Sequence, residues 1–207
     1  MHVPADNSLH RKQRGFSLLE LLLVIAIMGL LAVMASGTLG MVDANRITTA
    51  ALKLRSTAEL ARQTAITSGS PVDLRFYQPT TSPTGSSNDY TAFRLVTISG
   101  SVQTPMRIIR LPDGIGMRSN ATSSTLLSSS NPCTITETTP PGGFLSTARY
   151  VRFLPNGGLD ILAHLPSIPW CVSIAKSAAP AVANGLPTNF ATVCFDALLG
   201  STGIYRP

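Results

Sequence analysis

"RKQRGFSLLELLLVIAIMGLLAVMASG", residues 11–37, decides how the rest of the chain is read. From Phe16 to Ala35 the residues are apolar enough to cross a bilayer, yet Glu20 lies inside the run, shortly after the cluster Arg11, Lys12 and Arg14. Two ordinary devices begin this way. A secretory signal would be cleaved at small residues, for which "VMAS" (Val33 to Ser36) would serve. A plain anchor would need about 20 residues to span the hydrocarbon core. Neither gives Glu20 a purpose, because insertion scales charge roughly 2.5 to 3.5 kcal/mol for an acidic residue at the centre of a membrane helix, and less near its end. A cut after Gly15 does. It gives Phe16 a new α-amine and makes Glu20 the fifth residue of the mature helix, where its carboxylate neutralises that amine or the amine of a neighbouring subunit. A buried charge is costly until its opposite arrives, so such a pairing makes assembly depend on register.

"GFSLLE", Gly15 to Glu20, followed by an unbroken apolar helix, resembles the N-terminal motif of type IV prepilins and type II secretion pseudopilins. The resemblance implies that a prepilin peptidase cuts after Gly15 and methylates Phe16, and that Glu20 is the residue by which the subunit packs into a filament. The implied partners are that peptidase, other pseudopilins or pilins, and the inner membrane. The basic cluster sets the N-terminus in the cytoplasm. The expected localisation is therefore a single pass through the inner membrane with a periplasmic head, within a pseudopilus or surface filament.

The totals fit a modest molecule. With 207 residues there is room for one domain and something extra. Formal net charge is +6; three of the 16 basic residues and one of the 10 acidic ones precede the apolar run, leaving about +4 beyond it. That excess is too small and scattered to demand a nucleic-acid partner. Cys133, Cys171 and Cys194 fit no zinc spacing, and His2, His10 and His164 are the only histidines, so no metal or other cofactor is expected. Asp73, Asp89, Asp113, Glu137, Asp160 and Asp196 show no diagnostic spacing, and His164 reads as a loop residue. Nucleophile elbows and phosphate-cradling glycine motifs are absent from the sequence. The chain reads as a substrate of the peptidase, with no catalytic residues of its own.

No proline occurs between Phe16 and Ser70, so a helix of about 50 residues, roughly 75 Å at 1.5 Å per residue, is predicted. Gly29, Gly37 and Gly40 are its soft points, with Gly37 the place for local bending or melting. Beyond Met41, Ala44, Ile47, Ala51, Leu54, Ala58, Ala61 and Ala65 recur at steps of three and four and form one stripe that should face a sheet. Arg46, Lys53, Arg55, Glu59 and Arg62 lie elsewhere on the helix, with Arg55 and Glu59 four apart. "SGSP" at 68–71 ends the helix. Strands are predicted at 72–77, 90–99, 106–111, on both sides of the turn Asn156-Gly157-Gly158 within 149–163, and at 170–176 and 190–199. In the first, Val72, Leu74 and Phe76 should face the core while Asp73, Arg75 and Tyr77 face out. Residues 119–143, rich in Ser and Thr, read as a long mobile insertion carrying Cys133. Cys171 with Cys194 is the cheapest disulfide, and Cys133 remains an alternative partner for either.

The expected fold is α+β and pilin-like, a long N-terminal helix packed on a small antiparallel β-sheet head. Its parts are a leader at 1–15, a transmembrane or assembly half of the helix at 16–41, and a head at 42–207 that includes the amphipathic helix half, 42–68. The helix-to-strand junction, through Ala61, Arg62, Ala65, Ile66, Gly69 and Val72, resembles that of H-type minor pseudopilins and FimT-like minor pilins. Length and a Ser/Thr-rich head are also similar to the Verru_Chthon cassette protein D family. The implied function is that of a minor pseudopilin in a type II secretion or related filament. A type IV minor pilin of adhesion or DNA uptake, and a non-filament surface protein with a prepilin leader, are the alternatives.

Overall fold

A computed structural model describes residues 17–81, 89–119, 122, 124–128, 133–160, 170–177 and 186–206, without the side chains of 34–41. The chain divides into two units, 1–41 and 42–207. Helix α1, Leu18–Ser68, runs through Gly29, Gly37 and Gly40 without interruption, so the expected local melting at Gly37 is not seen. It ends where Gly69 adopts φ +62°, a left-handed conformation that glycine reaches at no steric cost.

The expected single pass through the inner membrane is overturned. Among the described residues no helix is long and apolar enough to cross a membrane. Glu20 places a carboxylate inside the apolar run, in the first turn of α1.

In the head, the α1 stripe forms as its spacing requires. Ile47, Ala51, Leu54, Ala58, Ala61 and Ala65 are buried, joined by Ala50 and Thr57, while Ala44 is half-buried. The strands are β1 (Val72–Pro79), β2 (Ala92–Ser99), β3 (Val102–Pro105), β4 (Ile109–Arg110), β5 (Ile115–Met117), β6 (Thr134–Thr136), β7 (Phe144–Phe153), β8 (Trp170–Lys176), β9 (Phe190–Phe195) and β10 (Thr202–Tyr205). They form two antiparallel sheets. One has the order β3-β2-β1-β7-β6, with β4 also on β2; the other is β10-β9-β8-β5. Leu74 stands between Leu95 and Val151, and Phe76 lies opposite Phe93. Together with Val172, Ile174, Val193 and Phe195 of the second sheet, these residues and the α1 stripe make one apolar cluster. The result is an α+β, pilin-like fold.

Several details depart from the expected pattern. Strand β1 is buried on both faces from Val72 to Tyr77, so Asp73, Arg75 and Tyr77 are not solvent-facing. Glu137, from the section expected to be a mobile insertion, bonds Arg75 and Tyr77, and that section is built into the head. It supplies β6, which pairs with β7, and buries Leu126, Leu127, Cys133 and Glu137. Of the strand expected at 106–111 only Ile109–Arg110 forms, as β4, and β3 and β5 were not predicted. After the Asn156-Gly157-Gly158 turn the return pairing among the described residues is the bridge Phe153 to Leu159. The rest of that expected strand and His164 lie outside the described residues, as does 178–185.

Candidate functional site

The N-terminal segment carries the sequence's strongest signal. Gly15, Phe16 and the basic cluster lie outside the described residues. Glu20 is exposed in the first turn of α1. Its backbone N–H donates to the Ser17 carbonyl at 3.0 Å and to Ser17 Oγ at 3.4 Å. Ser17 is thus the helix cap, and "SLLE" has the spacing of a capping box, in which an acid three residues after the cap favours the positive helix end. This local use of Glu20 is compatible with a role toward an α-amine, and sequence reading had overlooked it. Beyond it the large apolar side chains from Leu18 to Val33 are uncovered on every side, between 43% exposed at Val24 and 79% at Leu18. A helix apolar all round is one that other matter must cover.

In the head, charged residues that looked scattered converge on the outer face of β1. The five ionic groups alternate in the order Arg152, Asp73, Arg75, Glu137, Arg94. Arg152 Nε donates to Asp73 Oδ1 at 2.7 Å. Arg75 Nη2 donates to Asp73 Oδ2 at 2.9 Å and its Nη1 to Glu137 Oε1 at 2.8 Å. Arg94 Nη2 donates to Glu137 Oε2 at 2.6 Å. The Tyr77 hydroxyl donates to Glu137 Oε1 at 2.6 Å and accepts from Arg94 Nε at 2.7 Å. Register creates this cluster: Arg75 lies directly opposite Arg94, and Asp73 directly opposite Arg152. Two guanidiniums side by side would repel, and the shared Glu137 carboxylate removes the penalty. Burial works to lower the Arg75 pKa, but hydrogen bonds to Glu137 and Asp73 outweigh it and the group is raised. The Tyr77 phenol is pushed up, first by burial and then by Glu137, so it stays a donor. The alternation of "VDLRFY" hinted at Asp73, Arg75 and Tyr77 on one face. Glu137 was hidden in a Ser/Thr-rich stretch that gave no periodic signal.

The basic and acidic residues of α1 are also used structurally. Glu59 Oε1 accepts from Thr202 N–H at 3.2 Å and from its hydroxyl at 2.9 Å, in place of the expected pairing with Arg55. Arg62 Nε donates to the Gly157 carbonyl at 3.1 Å, and Lys176 Nζ pairs with Asp43 at 2.7 Å. Cys171 and Cys194 face each other across β8 and β9 as a disulfide, with Cα atoms 4.2 Å apart. Cys133 is buried outside it, and burial followed by the charge of Asp160 pushes its thiol up to about 11. Among the described residues no three His, Cys, Asp or Glu side chains lie together as a metal site would require.

Comparison with known proteins agrees with the N-terminal reading. The family described as "Prokaryotic N-terminal methylation motif" matches residues 10–36. No curated protein matches the chain. Among solved structures, the minor pseudopilin EpsH from the type 2 secretion system of Vibrio cholerae is similar at 12% identity and TM-score 0.45, over 78% of this chain and 98% of that one. The type IV minor pilin FimU of Pseudomonas aeruginosa is similar at 13% identity and TM-score 0.46, over 79% of this chain and 93% of that one.

Proposed function

We propose that this chain is a structural subunit of the type IV pilin and pseudopilin class, and within it a minor pseudopilin of a type II secretion or related filament. The observation that carries the reading is the methylation motif at 10–36, which takes in an apolar helical stretch whose large side chains, Leu18 to Val33, are exposed. In this reading residues 1–15 are a leader removed by a prepilin peptidase between Gly15 and Phe16, 16–41 is the assembly segment, and 42–207 is the head. Glu20 docks against the α-amine of Phe16 in a neighbouring subunit, and the Leu/Ile/Val surface of Leu18 to Val33 is shared among packed helices. Apolar contact supplies the association energy, at roughly 25 cal/mol per Å² removed from water. The Glu20 pair supplies register, because a misplaced carboxylate would be buried without its opposite charge. A head rich in loops, and Gly37 where major pilins often carry proline, favour the minor role.

Intact mass and N-terminal sequencing of the protein purified from its native host test this, beside a Gly15→Ala variant. The expected product begins at N-methylated Phe16 and disappears in the variant. Cleavage near Ala35, or an uncut N-terminus, would sink the filament reading.

A further inference from the structure

We propose that the head binds a small oxyanion, a phosphate or carboxylate group, in the cavity beside Arg94. The cavity has a volume of about 340 Å³ and is walled by Arg75, Arg94, Ser101, Gln103, Thr136, Glu137 and Thr138. This is the size of a small-molecule site. All but one of its polar side chains can donate, and its three charged groups are the Arg75 and Arg94 guanidiniums and the Glu137 carboxylate that both of them bond.

Charge balance says why an anion belongs there. A guanidinium does not deprotonate in a protein, so a buried one must be paired. The ionic chain ends in a guanidinium on each side, but the two ends differ. Arg152 has 28% of its side chain exposed, is bonded to Asp73 at 2.7 Å and also feels the charge of Asp160. Arg94 has 12% of its side chain exposed, and the one carboxylate it touches among the described residues, Glu137, is shared with Arg75. Arg75 also bonds Asp73, so across the whole ionic chain two carboxylates serve three guanidiniums. Arg94 also has donors to spare. Its Nε is used by the Tyr77 hydroxyl and one Nη2 proton by Glu137, leaving three of its five N–H groups without a partner among the described residues. An oxyanion entering the cavity would receive charge-assisted hydrogen bonds from these donors, the stronger kind. It would also have the Ser101, Thr136 and Thr138 hydroxyls and the Gln103 amide within the same wall. The orientation of Arg94 is already fixed by Tyr77, whose ring it overlies at 5.3 Å, so little ordering is left to the binding step.

The test uses the full chain in mild detergent. Its thermal midpoint is followed against sodium phosphate, and separately sodium acetate, with sodium chloride holding ionic strength constant. The expected result is a saturable rise with half-effect on the order of millimolar. Arg94→Gln should weaken it at least tenfold. Gln103→Glu, an exposed position on β3 that makes no contact in the ionic chain, should do the same by setting a fixed carboxylate at the cavity mouth. That second variant keeps the test decisive if Arg94→Gln does not fold. Arg55→Gln, exposed on α1, should leave the response unchanged. Response to phosphate alone identifies the phosphate group as the ligand; response to acetate as well extends it to carboxylates. No saturable response to either salt, or a response retained in Gln103→Glu, overturns the proposal.

Discussion

At the scale of single residues, the head depends on ionic groups taken out of water in complementary order. Such a cluster is not strong evidence of net stability, since well-packed apolar residues can do as well, but removing one member leaves others buried and unpaired. Glu137→Ala strips the carboxylate from both Arg75 and Arg94 and the acceptor from Tyr77. Its expected cost is about 3 to 5 kcal/mol, measured as urea unfolding free energy; a loss under about 1 kcal/mol would show that the groups are not buried together. The titrating residues make a second prediction. Cys133, Tyr77, Tyr90 and Tyr150 all have folded-state pKa values above their ordinary ones, with burial the first cause in each. The folded state therefore holds these protons more tightly than the unfolded chain. Their contribution is fully present below the unfolded values and is lost as pH rises through the folded ones. Urea stability should hold steady from pH 7 to about 9, then fall, with Cys133, raised from 9.0 to about 11, acting first. Two pKa units correspond to about 2 to 3 kcal/mol. In Cys133→Ala the decline should begin nearer 10, where the tyrosines start; an unchanged onset would remove Cys133 from the account.

At the scale of elements, the turns that close against α1 are set by glycine. Gly200 has φ +62°, and a Cβ there would lie 2.2 Å from the Gly157 carbonyl oxygen, the same oxygen that accepts from Arg62. Gly200→Ala should cost at least about 1 to 2 kcal/mol from the left-handed backbone alone, plus the displacement of Gly157. Gly203→Ala, in β10 with open space around it, should change stability by less than about 1 kcal/mol. Equal effects at the two positions would remove close approach as the explanation. The same contrast shows which elements the sequence makes legible. The α1 stripe could be read because steps of three and four are a property of one segment, and the helix end because Gly69 and Pro71 act locally. Strand β1 was legible on its apolar face and misread on the other. Asp73 is paired by Arg152 of β7, and Arg75 and Tyr77 by Glu137, some sixty residues away or more, and Ser/Thr-rich spacing carries no sign of the Glu137 pairing. The short strands β3 and β5 were missed, and β4 was expected too long, for a related reason, since two to four residues are too few to show alternation. Across β8 and β9 the Cys171 to Cys194 bond constrains a separation of 23 residues. Replacing both by alanine should cost about 2 to 4 kcal/mol by calorimetry or denaturant titration, and reductant should have no further effect on that variant.

At the scale of the whole molecule, two surfaces with opposite needs share one helix. Every member of the main apolar cluster lies at or beyond Ile47, so the head's core draws nothing from the segment Leu18 to Val33. The large apolar side chains of that segment are themselves exposed. A chain beginning at Val42 should therefore keep the Lys176 to Asp43 pair, the buried stripe and both sheets. Its urea unfolding free energy should agree with that of the chain beginning at Phe16, held in mild detergent, within about 1 kcal/mol. The two should differ in association. Sedimentation of the shorter chain without detergent should show a monomer, whereas the longer chain should associate as detergent is withdrawn. In Glu20→Ala the apolar surface is intact but the carboxylate is gone, so association should persist while ordered filament incorporation in the host is lost. If the shorter chain were unfolded, the head's core would depend on the N-terminal segment after all. If Glu20→Ala entered filaments as readily as the natural chain, the carboxylate would be serving the helix end through Ser17 alone.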